Sequence, residues 1–169
     1  FKTIELVIKN AKLELDRILN VVEENESALE DLSNILDLSS PPKRIEGYDI
    51  SHIQGSDTVA SQVVFINGLP SKQNYRKYKI NNSNVFIGHS DDFASIEEVI
   101  FRRFKKWSRF KIEGGDFSLL FDKKKSKLDN ALLTDWPDLV MIDGGKGQLS
   151  SALKALKTLD LIDEVNICS

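Results

Sequence analysis

The sequence predicts an α/β domain: a mixed sheet flanked by helices, preceded by a helical arm. Three observations carry this. The first is a long helical periodicity that stops at a pair of prolines. The second is a set of three strand-like runs, two of them joined by Asn67-Gly68. The third is a short apolar strand that turns through Asp143-Gly144-Gly145 into a helix. Strand–turn–helix units of that kind build parallel sheets, whereas an Asn-Gly turn builds an antiparallel hairpin. The sheet is therefore expected to combine an antiparallel three-strand meander with parallel strands.

The arm comes first. Ile4, Ile8, Ala11, Leu15, Ile18 and Val22 follow one another by fours and threes, the spacing of a helix with one apolar stripe. Leu29, Leu32 and Leu36 resume the stripe, and a second helix is expected to begin near Ser27. The segment then reads as a helical hairpin or an arm packing on a core or a neighbouring domain, or as a coiled-coil partner site. Ser39-Ser40-Pro41-Pro42 ends it, because proline cannot continue a helix and extends the residue before it. The predicted division is a helical arm over 1–40 and a core over 41–169.

In the core, strands are expected over 44–50, 58–66 and 73–80, and a helix over 92–107. Ala94, Ile96, Val99, Ile100 and Phe104 lie on or near one face of that helix. Residues 108–135 read as an irregular polar insertion with a basic run over 123–127. A strand over 137–142, a helix through Leu149, Ala152, Leu153 and Leu156, and a last strand over 162–167 complete the pattern.

Composition narrows the function classes. Hydrophobic residues make up 41% and charged residues 29% of the 169-residue chain, a globular profile. No apolar run approaches the roughly 20 residues of a membrane span, so no membrane partner is expected. The single cysteine, Cys168, excludes an internal disulfide and a cysteine-rich zinc site, and fits a reducing, cytoplasmic compartment. The net charge of −3 does not advertise nucleic acid, so DNA binding must rest on local charge. The chain starts at Phe1 and stops after an apolar stretch, and is expected to be a piece of a longer protein.

Three acidic positions stand out. Asp49 and Asp143 each stand at the C-terminal end of a predicted strand, and Asp92 sits beside Asp91 at a helix start. Ligands of open α/β sheets gather outside the carboxyl ends of strands. Carboxylates there suit Mg²⁺ or Mn²⁺, which polarise a phosphoryl oxygen and activate water. Each position also has a plainer reading: Asp91 or Asp92 as a helix cap, Asp143 as a turn residue before two glycines. Asp49 lies among Tyr48, Ile50 and Ile53, in a stretch expected to be mostly buried, where a carboxylate needs a partner or a metal.

The loop Gly144-Gly145-Lys146-Gly147-Gln148 has the makings of a phosphate cradle, with Lys146 as a phosphate contact. It is not a Walker A loop, because Val140 and Gly147 occupy positions that require Gly and Ser or Thr. His52, three residues after Asp49, reads as support to the site ahead of a direct catalytic role. His89 reads as a loop residue. Arg76 and Lys77 lie among Tyr75 and Tyr78, and Arg102 and Arg103 precede Phe104 and Trp107. Both are candidate DNA-binding clusters or simply solvated faces.

Three motifs in order resemble one family. Residues 44–61, Arg-Ile-Glu-Gly-Tyr-Asp-Ile-Ser-His-Ile-Gln-Gly-Ser-Asp-Thr-Val-Ala-Ser, resemble the start of the UvrC endonuclease domain. Asp91-Asp92-Phe-Ala-Ser-Ile-Glu-Glu-Val99 with Arg102-Arg103 resembles its next block, and 137–149 its third. The resemblance implies a ribonuclease H-like fold and a metal-dependent DNA endonuclease of excision repair. It implies a 5′ incision in damaged double-stranded DNA delivered by UvrB, with Mg²⁺ or Mn²⁺. It assigns Asp49 and Asp143 as catalytic metal-holding residues and Asp92 as a third functional acid, with His52 and Lys146 inside matching motifs. It also implies a catalytic histidine downstream of the last helix, a position that neither His52 nor His89 occupies. The isolated chain is then expected to be weak or inactive. A non-catalytic nucleic-acid or protein-binding module of the same fold is the alternative.

Overall fold

A computed structural model describes residues 2–53, 57–81, 92–115 and 135–169. These fall into two compact units, Phe1–Lys43 with Asn67–Leu69, and Arg44–Ile66 with Pro70–Ser169. The expected histidine loop at His89, the cap Asp91 and the basic run 123–127 lie outside the described residues.

In the first unit, helix α1 runs unbroken over Lys2–Ile35. The expected break near Ser27 is absent, so the arm is one helix and not a hairpin. Its 34 residues contain neither glycine nor proline, and Asn25 and Ser27 cost too little helix propensity to interrupt it. The end is a left-handed cap. Asp37 has φ 52°, and the Leu38 N–H returns to the Ser33 carbonyl at 2.9 Å.

The second unit holds the sheet and its helices, apart from Asn67–Leu69 of the connection after the second strand, which group with the first. Strands β1 (Arg44–Ile53) and β2 (Asp57–Ile66) pair antiparallel along their full lengths. After β2, Asn67 and Gly68 both have positive φ, 50° and 76°, as a type I′ turn requires. A two-residue strand β3 (Leu69–Pro70) and one 3-10 turn (Lys72–Asn74) follow. The third strand of the meander, β4 (Arg76–Lys79), is shorter than expected and pairs antiparallel with β2. Its first residues are diverted into the 3-10 turn, where Asn74 Nδ2 donates to Ser71 Oγ at 2.8 Å.

Strand β5 (Leu139–Ile142) pairs parallel with β1, and β6 (Ile167–Cys168) parallel with β5. The last strand was expected over 162–167. It is shorter because helix α3 (Lys146–Thr158) ends in a second left-handed cap, with Asp160 at φ 57° and Leu161 N–H bonded to Leu156 O at 2.9 Å. Leu161 and Val165 are buried from turns and not from a strand. Helix α2 (Asp92–Ile112) is longer than expected, taking in five residues of the predicted irregular segment.

Both α2 and α3 cover one face of the sheet, and the core lies between. Tyr48, Ala60, Val140 and Ile142 meet Ile96, Ile100, Phe104, Ala152 and Leu156. Phe104 and Trp107 each pack edge-on to Trp136, with centroids 5.6 and 5.1 Å apart. The mixed sheet of meander plus parallel strands, with its helices and preceding arm, is the architecture the sequence predicts.

Candidate active site at the end of the parallel ladder

The parallel ladder between β1 and β5 ends at Tyr48 opposite Ile142. The Asp143 N–H donates to Tyr48 O at 2.8 Å, carrying the pairing one step further. Asp49 and Asp143 are therefore neighbours on adjacent strands. Alternation puts both on the face opposite the helical core, because Tyr48 and Ile142 point into it. Ser51 Oγ, two residues along the same face, donates to Asp49 Oδ2 at 2.9 Å.

Two expectations about Asp49 are corrected by this geometry. It lies inside β1 and not at its end, since the antiparallel pairing with β2 continues to Ile53. It is also exposed, and Tyr48 takes the buried place. A one-residue step along a strand reverses the facing, so the apolar neighbours say nothing about the aspartate itself. Asp49 is thus not a buried carboxylate in need of a partner. What remains is two exposed carboxylates at adjacent positions, where like charges repel unless a cation joins them.

Asp92 is the first residue of α2 and half-buried. Close approach of two helix starts brings it to the same end of the unit. A β-carbon on Gly147, near the start of α3, would lie 2.4 Å from the Phe93 ring, so a larger residue there would push that ring aside. No group of three or more His, Cys, Asp or Glu side chains arranged to hold a metal occurs among the described residues. The two adjacent aspartates still fit a hard cation that takes one or two carboxylates and completes its shell with water and phosphate oxygens. His52 lies in β1 opposite Thr58; its side chain is outside those described. Lys146 is the exposed first residue of α3. The expected phosphate cradle is partly filled, because Gln148 Oε1 accepts the Gly145 N–H at 3.0 Å.

Of the basic clusters, Arg76 and Lys77 are exposed on β4. Arg102 is held against α2 and β4, donating to Lys79 O at 2.7 Å and Glu98 Oε1 at 3.1 Å, yet 40% of its side chain stays accessible. Arg103, expected on a DNA-facing surface, is 5% exposed. Its facing was misread because it falls on the buried side of α2, one step before Phe104.

Arg103 belongs to a buried cluster that the sequence did not announce. Glu46 is fully buried and accepts from Arg44 Nη2 at 2.7 Å, Arg103 Nη2 at 2.7 Å and the Tyr48 hydroxyl at 2.8 Å. Arg103, Arg44 and Lys106 also converge on Asp135. The available signal was Arg44, Glu46 and Tyr48 at every second position of a strand, three polar groups on one face. Burial, then the Glu46 charge, pushes the Tyr48 phenol well above its ordinary pKa. Burial opposes the Arg103 charge most, but hydrogen bonding to Glu46 and the charges of Glu46, Tyr48 and Asp135 together outweigh it, and the pKa is raised.

Asp135 is held below the usual aspartate range. Burial alone would raise it, and the Arg103 charge and Lys106 outweigh that. A lowered carboxylate pKa gives stability above the unfolded value of about 4, lost as pH falls through the folded value. The stability gap between the native chain and Asp135→Asn is therefore expected to close as pH drops below about 4. Denaturant midpoints across a pH series check this. A gap unchanged at acid pH would show that the Asp135 charge contributes nothing.

Comparison with known proteins gives the family. A profile of the UvrC RNAse H endonuclease domain matches residues 33–169. The chain is 75% identical over 169 residues to the UvrABC system protein C of Prochlorococcus marinus subsp. pastoris, covering all of this chain and 26% of that protein. It is 58% identical over 166 residues to the protein of the same name from a Synechococcus strain, covering 98% of this chain and 25% of that protein. The chain thus spans about a quarter of the length of the curated relatives it matches. By the profile match over residues 33–169, the chain belongs to the UvrC RNAse H endonuclease domain family.

Proposed function

We propose that this chain is the catalytic core of a metal-dependent DNA endonuclease, the part of a UvrABC-type repair protein that makes the 5′ incision at damaged double-stranded DNA. The adjacent pair Asp49 and Asp143, on the open face at the end of the parallel ladder, is the observation that carries the reading. These two carboxylates would hold Mg²⁺ or Mn²⁺, which when bound polarises a phosphoryl oxygen and makes water a competent nucleophile. Asp92 is proposed as the third functional acid at the same end, with Lys146 as a phosphate contact and His52 in support. Residues 1–40 form the arm and 41–169 the catalytic unit. UvrB is the proposed partner that presents the DNA, and the cytoplasm the proposed compartment. Among the described residues no helix is long and apolar enough to cross a membrane. The isolated chain is proposed to cut weakly or not at all.

The decisive experiment is incision of a damaged duplex by the full-length protein carrying Asp143→Asn, with DNA binding measured alongside. Incision should be lost and binding kept. Retained incision would overturn the reading.

DNA contact is proposed for Arg76, Lys77 and Arg102, and no longer for Arg103. Arg76→Ala or Arg102→Ala should weaken binding across all sequences and lower the slope of log K against log salt by about one. An unchanged slope in both variants would remove these residues from the phosphate contacts.

A further inference from the structure

The strand register lays out a row of side chains across the open face. Asp143 neighbours Asp49, Asp49 is opposite Ser61 on β2, and Ser61 is opposite Lys77 on β4. Directly opposed residues project to the same side of a sheet, at strand spacings of about 5 Å. The row therefore reads carboxylate, carboxylate, hydroxyl, cation. Ser61 is half-buried, and its hydroxyl makes no hydrogen bond among the described residues. The neighbouring hydroxyl on the same face, Ser51, is already bound to Asp49.

A phosphodiester brought to two carboxylates meets repulsion, even with a cation between them. A hydroxyl at the next position offers a donor to a non-bridging oxygen, and a lysine one strand further neutralises a neighbouring phosphate. We propose that the Ser61 hydroxyl donates a hydrogen bond to a non-bridging oxygen of the phosphodiester held at Asp49. The strand being cut then crosses the sheet along this row, with a flanking phosphate on Lys77. This rests on the nuclease reading of Asp49 and Asp143 and adds a substrate-contacting residue and a direction for the strand.

The test uses the full-length protein in single-turnover incision with DNA at saturation. Ser61→Ala should slow the incision step about tenfold or more, the scale of a lost hydrogen bond to a charged group, and leave DNA affinity unchanged. Ser61→Thr, which keeps the hydroxyl, should restore most of the rate. Lys77→Ala should act differently, weakening affinity with little effect on the saturated rate. A phosphorothioate at the scissile position should slow the native protein, and this penalty should shrink in Ser61→Ala, because the interaction it disturbs is already gone. A merely structural role for Ser61 would not make that penalty depend on the variant. The proposal is overturned if Ser61→Ala cuts within about twofold of the native rate, or if the two penalties multiply independently. Loss of incision in Asp49→Asn together with either of those results would leave the nuclease reading intact and remove Ser61 alone. Normal incision in Asp49→Asn would remove the reading itself.

Discussion

Asp49→Asn and Asp143→Asn, each made in the full-length protein, are expected to reduce incision by at least about 10²-fold, the scale of losing one group that stabilises transition-state charge. Folding should respond in the opposite sense. Both side chains are exposed, and asparagine has nearly the same shape. Removing one of two adjacent like charges should leave the metal-free protein as stable as before, or more stable by up to about 1 kcal/mol. Added Mn²⁺ should then raise the melting temperature of the native protein and not of the variants. A ligand at 100 times its dissociation constant contributes about 2.7 kcal/mol to the state that binds it. Thermal melts with and without Mn²⁺, run beside incision assays, separate the two effects. An Asn variant that is inactive but also strongly destabilised would mean that these aspartates hold the fold and not the metal.

Glu46→Gln is expected to have the largest effect on stability of any single change in the sheet. Glu46 is the fully buried carboxylate between Arg44 and Arg103, and its neutralisation leaves two buried guanidinium groups without their main counter-charge. Removing one partner of a buried ion pair costs about 3–5 kcal/mol, a large part of the roughly 5–15 kcal/mol that holds a domain together. The cluster also ties β1 to α2 and to Asp135, the residue that leads into β5. Its loss should therefore loosen elements that carry all three aspartates proposed as functional. Arg103→Met should cost less, because Arg44 and the Tyr48 hydroxyl still serve Glu46. Combining the two changes should cost less than the sum of each alone. Urea unfolding of the four proteins measures this coupling. A Glu46→Gln loss below about 1 kcal/mol would show that the cluster is a replaceable filling of the core.

Much of the fold was legible because each local signal agreed with the next. The Asn-Gly turn, the alternating runs of β1 and β2 and the apolar strand before Gly144-Gly145 all act through near neighbours. The misreadings share a cause. Arg103 looked like a phosphate contact because charge on a helix is usually solvated, and only packing against Glu46 could bury it. Asp49 looked buried because its neighbours are apolar, although strand alternation turns it outward.

The sequence alone determined the mixed α/β pattern, the strand-to-helix turn that carries Asp143 and the motifs that resemble the UvrC family. Those properties are written in the period, spacing and identity of residues close in the chain. Tertiary structure alone decided that Asp49 and Asp143 become neighbours, that Ser61 and Lys77 continue their row, and that Glu46 gathers Arg44 and Arg103. The first two depend on register between paired strands, and the third on α2 packing Arg103 against β1. Register is set by burial of one face of the whole sheet, which no single segment encodes.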